Sequence, residues 1–185
     1  MPQQSAIIIC NGNGLSGGYL FTNMSSNQYD IAIVGGGLAG LASAILSAKA
    51  GYKTILFEKE RYPYHKVCGE YISMESWNFL ELLGLPLSTM NLPIIQRLNI
   101  SSPNGKLFET SLPLGGFGIS RYKLDFELSQ IAKQLGVTVH EETKVNDIVF
   151  EDDEFTVHSA NTIIKSKVVF GSYGKRSNLD VKWNR

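Results

Sequence analysis

The chain has 185 residues, 43% hydrophobic and 18% charged, with 17 Lys and Arg balancing 17 Asp and Glu. That length supports one domain with a real core and excludes two large ones, and the even charge gives no global field for nucleic acid or an anionic membrane. Cys10 and Cys68 make no metal or disulfide pattern, which favours a reducing, cytoplasmic setting, and no apolar run approaches the roughly 20 residues of a membrane span.

The first element is "IIICNGNGLSGG", an apolar run followed by Gly12, Gly14 and Gly17 at G-x-G-x-x-G spacing. Its start lacks Lys and Arg, and the run is too short for a secretory h-region. The adjoining stretch "GYLFTNMSSNQYD" has no helical period and leads to no acidic strand end. Residues 1–28 therefore read as a disordered extension, the first glycine loop as a decoy, and Met24 as the natural start. The second glycine loop, "DIAIVGGGLAG", has Gly35, Gly37 and Gly40 at the same spacing and a different sequel. A helix over 38–50 is predicted from Leu38, Leu41, Ala42, Ile45 and Leu46 on one face, with Gly51 to end it. The buried strand "KTILFE" then delivers Glu58, 21 residues after Gly37, where a ribose acid belongs. In such a unit the first glycine makes the turn, the second admits the pyrophosphate, and the third lets helix and strand pack. Dinucleotide binding is the reading, and an ordinary βαβ start is its plain alternative.

After a loop to about 72 come a helix over 73–83 and strands near 94–100 and 106–111, joined at Asn104-Gly105. Residues 90–116 read as the start of a substrate-domain insertion. Strand 117–120, helix 122–135 and strand 137–140 are expected to return to a parallel sheet. Segments 144–150, 154–158 and 162–165 read as an antiparallel meander, and 167–171 as a separate strand re-entering the main sheet. Trp77 and Phe79 read as core, and His65, His140 and His158 as surface or core residues. "EDDE" at 151–154 reads as a solvated hairpin turn, and no metal site is expected. Arg121 stands four residues before Asp125, the spacing of a helical ion pair.

Four motifs in this order, "VGGGLAG", "ERYPYHKVCGEYIS", "GISRYKLDFELSQIAKQLGV" and "KVVFGSYGKRSNLD", resemble the geranylgeranyl reductase-like flavoproteins. Those belong to the p-hydroxybenzoate hydroxylase-type FAD superfamily, which also includes flavin-dependent halogenases. The resemblance covers about residues 29–180. It implies an α/β, Rossmann-type FAD/NAD(P)-binding domain over 29–185, with a β-meander crossover and part of a second, substrate-facing β-sheet domain. It places Gly35, Gly36, Gly37, Leu38, Ala39 and Gly40 at the pyrophosphate and Glu58 at the adenosine ribose, with Lys59 beside it as a cofactor-binding residue. It places Cys68 and Gly69 along the flavin, Arg121 on FAD, and the Val145 backbone at the adenine. Catalytic residues stay unassigned. Tyr173 stands where hydroxylase-type members usually have Asp before Gly, so no pyridine-nucleotide role carries over from that motif. Glu70 stands where many reductases have a small residue. Because the family continues well beyond this length, the chain is expected to be an N-terminal part.

The implied activity is an FAD-dependent oxidoreductase passing hydride through flavin to an alkene of a small-molecule or lipid-like, isoprenoid-type substrate, with NAD(P)H as a candidate reductant. Peripheral membrane contact is compatible with it, nucleic acid is not a partner, and the oligomeric state is open. The alternatives are a flavin-dependent monooxygenase or halogenase on an aromatic substrate, and an inactive fragment or nucleotide-binding module.

Overall fold

The computed structural model describes residues 7–9, 27–174, 177, 179 and 182. Its strands are β1 (Ile7–Ile9), β2 (Gln28–Val34), β3 (Thr54–Phe57), β4 (Tyr71–Ser73), β5 (Ile94–Ser101), β6 (Leu107–Gly118), β7 (Thr138–His140), β8 (Val145–Glu151), β9 (Glu154–Ser159) and β10 (Ile163–Gly171). The α-helices are α1 (Leu38–Lys49), α2 (Trp77–Leu83) and α3 (Arg121–Gln134). One sheet runs β7-β3-β2-β10-β9-β8, and the other β4-β6-β5.

β2 pairs in parallel with β3 on one side and β10 on the other. Both of its faces are covered, which is why "IAIV" is an apolar run without polar alternation. Its side chains divide by the period of two. Ile31 and Ile33 join Leu56 under the buried faces of α1 and α3, namely Leu41, Ala44, Ile45, Leu124, Leu128 and Ala132. Ala32 and Val34 turn to the opposite face, where Ile148, Phe155, Val157 and Ile164 of the meander cover them. Two cores therefore sandwich one sheet.

The structure corrects several sequence expectations. Segments 162–165 and 167–171 are one unbroken strand: β10 pairs antiparallel with β9 over Ile163–Ser166 and parallel with β2 from Lys165 to Gly171. Buried side chains alternate within each half, Ile164 and Ser166 and then Val169 and Gly171, and the phase shifts by one residue between them without interrupting the strand. Segment 117–120 does not return to the parallel sheet. Phe117 and Gly118 end β6, pairing with Ile72 and Tyr71 of β4, and Phe117 is buried against Trp77. Within the extension expected to be disordered, Ile7–Ile9 pairs antiparallel with Val169–Gly171 of β10, its run of isoleucines suiting a strand. Gln28, the last residue of that extension, likewise belongs to β2. The Gly12–Gly17 loop and Met24 lie outside the described residues. Phe79 is 44% exposed rather than core, because α2 turns Leu80 and Leu83 inward instead.

The two hairpins form where turn residues favour them. Gly105 takes φ +77° in the β5–β6 turn, and Asp152 and Asp153 take φ +51° and +59° between β8 and β9. α3 starts on Ser120, whose hydroxyl accepts from the Lys123 N–H. Among the described residues, no helix is long and apolar enough to cross a membrane.

Candidate functional site

β2 ends at Val34 between β3 and β10, where the chain path switches from one side of β2 to the other. A crevice forms at the carboxyl ends of strands at such a point. The turn out of β2 is fixed by close backbone contact. Gly35 takes φ +105°, and a Cβ there would lie 2.4 Å from the Ser172 carbonyl oxygen after β10. A Cβ on Gly40 would lie 1.9 Å from the Gly35 carbonyl oxygen, so α1 rests directly on the turn. The Ser172 hydroxyl donates to the Gly35 carbonyl at 2.6 Å, tying the ends of β2 and β10 together. α1 begins at Gly37 with no side-chain cap and no acidic residue in its first turn. Its opening N–H groups and the positive end of its dipole are thus left for an anion.

Glu58 follows β3 and is only 5% exposed. Its Oε2 accepts from the Gly36 N–H at 2.8 Å and its Oε1 from the Glu60 N–H at 3.1 Å. The Tyr62 hydroxyl, also buried, donates to the Gly36 carbonyl at 2.5 Å. Gly36 is needed for this packing: a Cβ there would lie 1.9 Å from the Tyr62 hydroxyl. Burial first, then the Glu58 charge, pushes the Tyr64 phenol well above the usual range. Lys66 Nζ sits 4.5 Å from the centroid of the Tyr64 ring and 3.1 Å from Asp125 Oδ2.

The cleft so formed has a volume of about 310 Å³. Val34, Gly35, Gly37 and Ala39 line it from the turn, and Phe57, Glu58 and Lys59 from the end of β3. Tyr64 and Lys66 line it from the following loop, Thr143, Lys144 and Val145 from the entry to β8, and Ser172, Tyr173 and Gly174 from the end of β10. Ser177 and Leu179 complete it. An uncapped helix N-terminus, three lysines and one fixed carboxylate suit the adenosine diphosphate end of a nucleotide cofactor. The helix and lysines supply donors and positive charge for the diphosphate, and the carboxylate accepts from sugar hydroxyls.

Of the residues selected from sequence, Gly35, Gly37, Ala39, Glu58, Lys59 and Val145 line the cleft. Gly36, Leu38 and Gly40 build the turn behind it. Cys68, Gly69 and Arg121 do not line it. Cys68 and Gly69 lie exposed in the loop before β4. Arg121 is buried and gives Nε and Nη2 to Asp125 at 2.8 and 2.9 Å, the ion pair its spacing allows. Sequence reasoning missed Tyr64, Thr143, Lys144, Ser172 and Tyr173. Tyr64, Ser172 and Tyr173 stand inside the quoted motifs, but no periodicity marks which loop side chains turn inward.

Residues 30–65 match the family model described as an FAD binding domain. The digeranylgeranylglycerophospholipid reductase of Methanocaldococcus jannaschii is 30% identical over 161 residues, 83% of this chain and 40% of that protein. The flavin-dependent halogenase armH3 of Armillaria mellea is 30% identical over 135 residues, 69% of this chain and 27% of that protein. The crystal structure of halogenase PltM in complex with phloroglucinol and FAD superposes with a TM-score of 0.71 at 21% identity, covering 84% of this chain and 36% of that one. The chain thus spans two-fifths or less of the length of these curated relatives. Glycine turn, buried acid, switch-point cleft and these likenesses agree: the chain carries an FAD binding domain and is similar over most of its length to flavoenzymes that include a digeranylgeranylglycerophospholipid reductase and flavin-dependent halogenases.

Proposed function

We propose that this chain holds the adenosine end of FAD for a geranylgeranyl reductase-like oxidoreductase that saturates an alkene in an isoprenoid-type substrate. The observation that carries the cofactor reading is the Glu58 carboxylate, buried and aimed by two backbone N–H groups into a cleft beneath an uncapped helix N-terminus. In this reading Gly35, Gly37 and Ala39 face the diphosphate, Lys59, Lys66 and Lys144 supply positive charge, Glu58 accepts from the ribose, and Val145 borders the adenine. Arg121 acts at one remove, fixing Asp125, which in turn holds Lys66 at the cleft. When bound, FAD supplies two-electron hydride chemistry, and the protein supplies its binding, orientation and protection from water.

The reductase assignment leans on the archaeal reductase, whose likeness extends over 83% of the chain. A halogenase or monooxygenase is the second reading, favoured by the fold likeness to PltM. Oxygen separates the two. A reductase consumes reduced flavin under anaerobic conditions in proportion to alkene saturated, with one hydride and one proton added across the double bond. A halogenase or monooxygenase turns over only with oxygen. Stoichiometric saturation of a polyprenyl alkene without oxygen is the expected result, and strict oxygen dependence overturns it.

A further inference from the structure

Three consecutive peptide units lead out of β2, and hydrogen bonds fix each of them. The Val34 carbonyl accepts from the Ser172 N–H after β10, and the Gly35 N–H of the same unit donates to the Phe57 carbonyl of β3, both at 2.8 Å. The next unit keeps that direction. The Gly35 carbonyl accepts from the Ser172 hydroxyl at 2.6 Å, and the Gly36 N–H donates to Glu58 Oε2 at 2.8 Å. The third unit is reversed. The Gly36 carbonyl faces the β3 side, where it accepts from the Tyr62 hydroxyl at 2.5 Å. The Gly36–Gly37 bond is trans, and in a trans peptide the N–H points opposite to the carbonyl. The Gly37 N–H is therefore turned from Tyr62 toward the cleft that Gly37 lines, beside the first N–H groups of α1. Tyr62 is itself held in place. Its ring is 6% exposed within the core, and its own N–H donates to Glu141 Oε2 at 2.8 Å.

We propose that Tyr62 is a positioning residue of the nucleotide site: by holding the Gly36 carbonyl away from the cleft, it aims the Gly37 N–H at the diphosphate. This rests on the nucleotide reading above and deepens it. A carbonyl turned the other way would set partial negative charge against the diphosphate and withdraw a donor. One peptide orientation thus removes a repulsion and supplies a hydrogen bond. Glu58 fixes the unit before it and, as an acceptor, cannot hold a carbonyl, so the reversal depends on the phenol.

NMR titration of the 185-residue chain and of Tyr62→Phe, each with ADP and with adenosine, tests this. Phe keeps the ring in the core and removes only the hydroxyl, so the Gly36–Gly37 unit is free to turn over toward another donor. Adenosine carries no phosphate and reads the rest of the site. ADP affinity is expected to fall roughly tenfold in the variant, the scale of one hydrogen bond to a charged group, and adenosine affinity to stay within about twofold. A role in stability alone would move both ligands equally or neither, and either pattern in a folded variant overturns the proposal. The wild type gives a second reading that needs no variant. ADP is expected to shift the Gly37 amide proton downfield, as donation to a phosphate does, and adenosine to leave it in place. A Gly37 amide that bound ADP leaves unmoved overturns the proposal. A wild-type chain that binds neither ligand is a different result: it overturns the nucleotide reading of the cleft, and this proposal with it.

Discussion

Glu58 holds the turn and faces the cleft with one carboxylate, so its substitutions separate two effects. Glu58→Ala removes the acceptor of the Gly36 and Glu60 N–H groups together with the proposed ribose contact. ADP affinity is expected to fall at least tenfold, the scale of a hydrogen bond to a charged group, about 1.5–3 kcal/mol. Unchanged affinity by calorimetry in a folded Glu58→Ala protein sinks the ribose assignment. Tyr62 acts on the turn alone. Tyr62→Phe leaves the Gly36 carbonyl without its donor, at a cost of about 1–3 kcal/mol in a urea melt. It also alters the alkaline limb. Burial first, then the charge of Glu58, raises the folded-state pKa of the Tyr62 phenol far above its usual value. The stability this carries is complete below the unfolded value near 10 and is lost as pH rises beyond it, because the unfolded phenol ionises first. Tyr62→Phe is therefore expected to flatten the loss of stability above about pH 10. An equally steep limb in the variant means that the dependence comes from other groups.

At the scale of elements, α3 is docked by a buried charge cluster. Arg121 grips Asp125, and Asp125 also receives Lys66 from the loop before β4. Asp125 is 1% exposed, so Asp125→Ala strands a buried guanidinium and is expected to cost about 3–5 kcal/mol. The double variant Arg121→Met with Asp125→Leu is expected to recover much of that, since paired burial returns little net stability. Urea melts of the three proteins decide it: a double variant as unstable as Asp125→Ala means that α3 needs the charges themselves. The same element shows what was legible in the sequence. The helix expected over 122–135 is α3 to within a residue at each end, and the i,i+4 spacing marks the ion pair. The glycine turn, α1, β3 and Glu58 were legible for a similar reason: each obeys a local rule of spacing or period. β10 was not, because a strand that changes partners halfway shifts its buried phase, from Ile164 and Ser166 to Val169 and Gly171, and in the sequence that shift reads as a break between two strands. The inward turn of Tyr64 and Lys144 was not legible either, since loop side chains are aimed by contacts distant in sequence.

The whole molecule joins two sheets of unequal burial, and nucleotide binding should reach only one of them. The seven-stranded sheet is covered on both faces by the two cores. In the other sheet Phe117 is fully buried near its root, whereas Leu98, Ile100, Leu107 and Phe108 are all exposed. Amides of Leu98–Ser101 and Leu107–Thr110 are thus expected to exchange with solvent by local opening, at free energies well below that of global unfolding. Amides of β2, β3 and the Phe117 end of β6 are expected to exchange only on global unfolding. On the proposed reading ADP binds the folded cleft and not the unfolded chain, so at one hundred times its dissociation constant it is expected to add about 2.7 kcal/mol to global stability. In hydrogen exchange, protection of β2 and β3 should rise by about that amount, and protection at Phe117 should rise with it. The hairpin amides should stay unchanged, because their opening leaves the cleft intact. An ADP-dependent rise of equal size along the whole of β5 and β6 would mean that the outer hairpin unfolds with the cleft. It would place the boundary of cooperative stability beyond the second sheet rather than at its root.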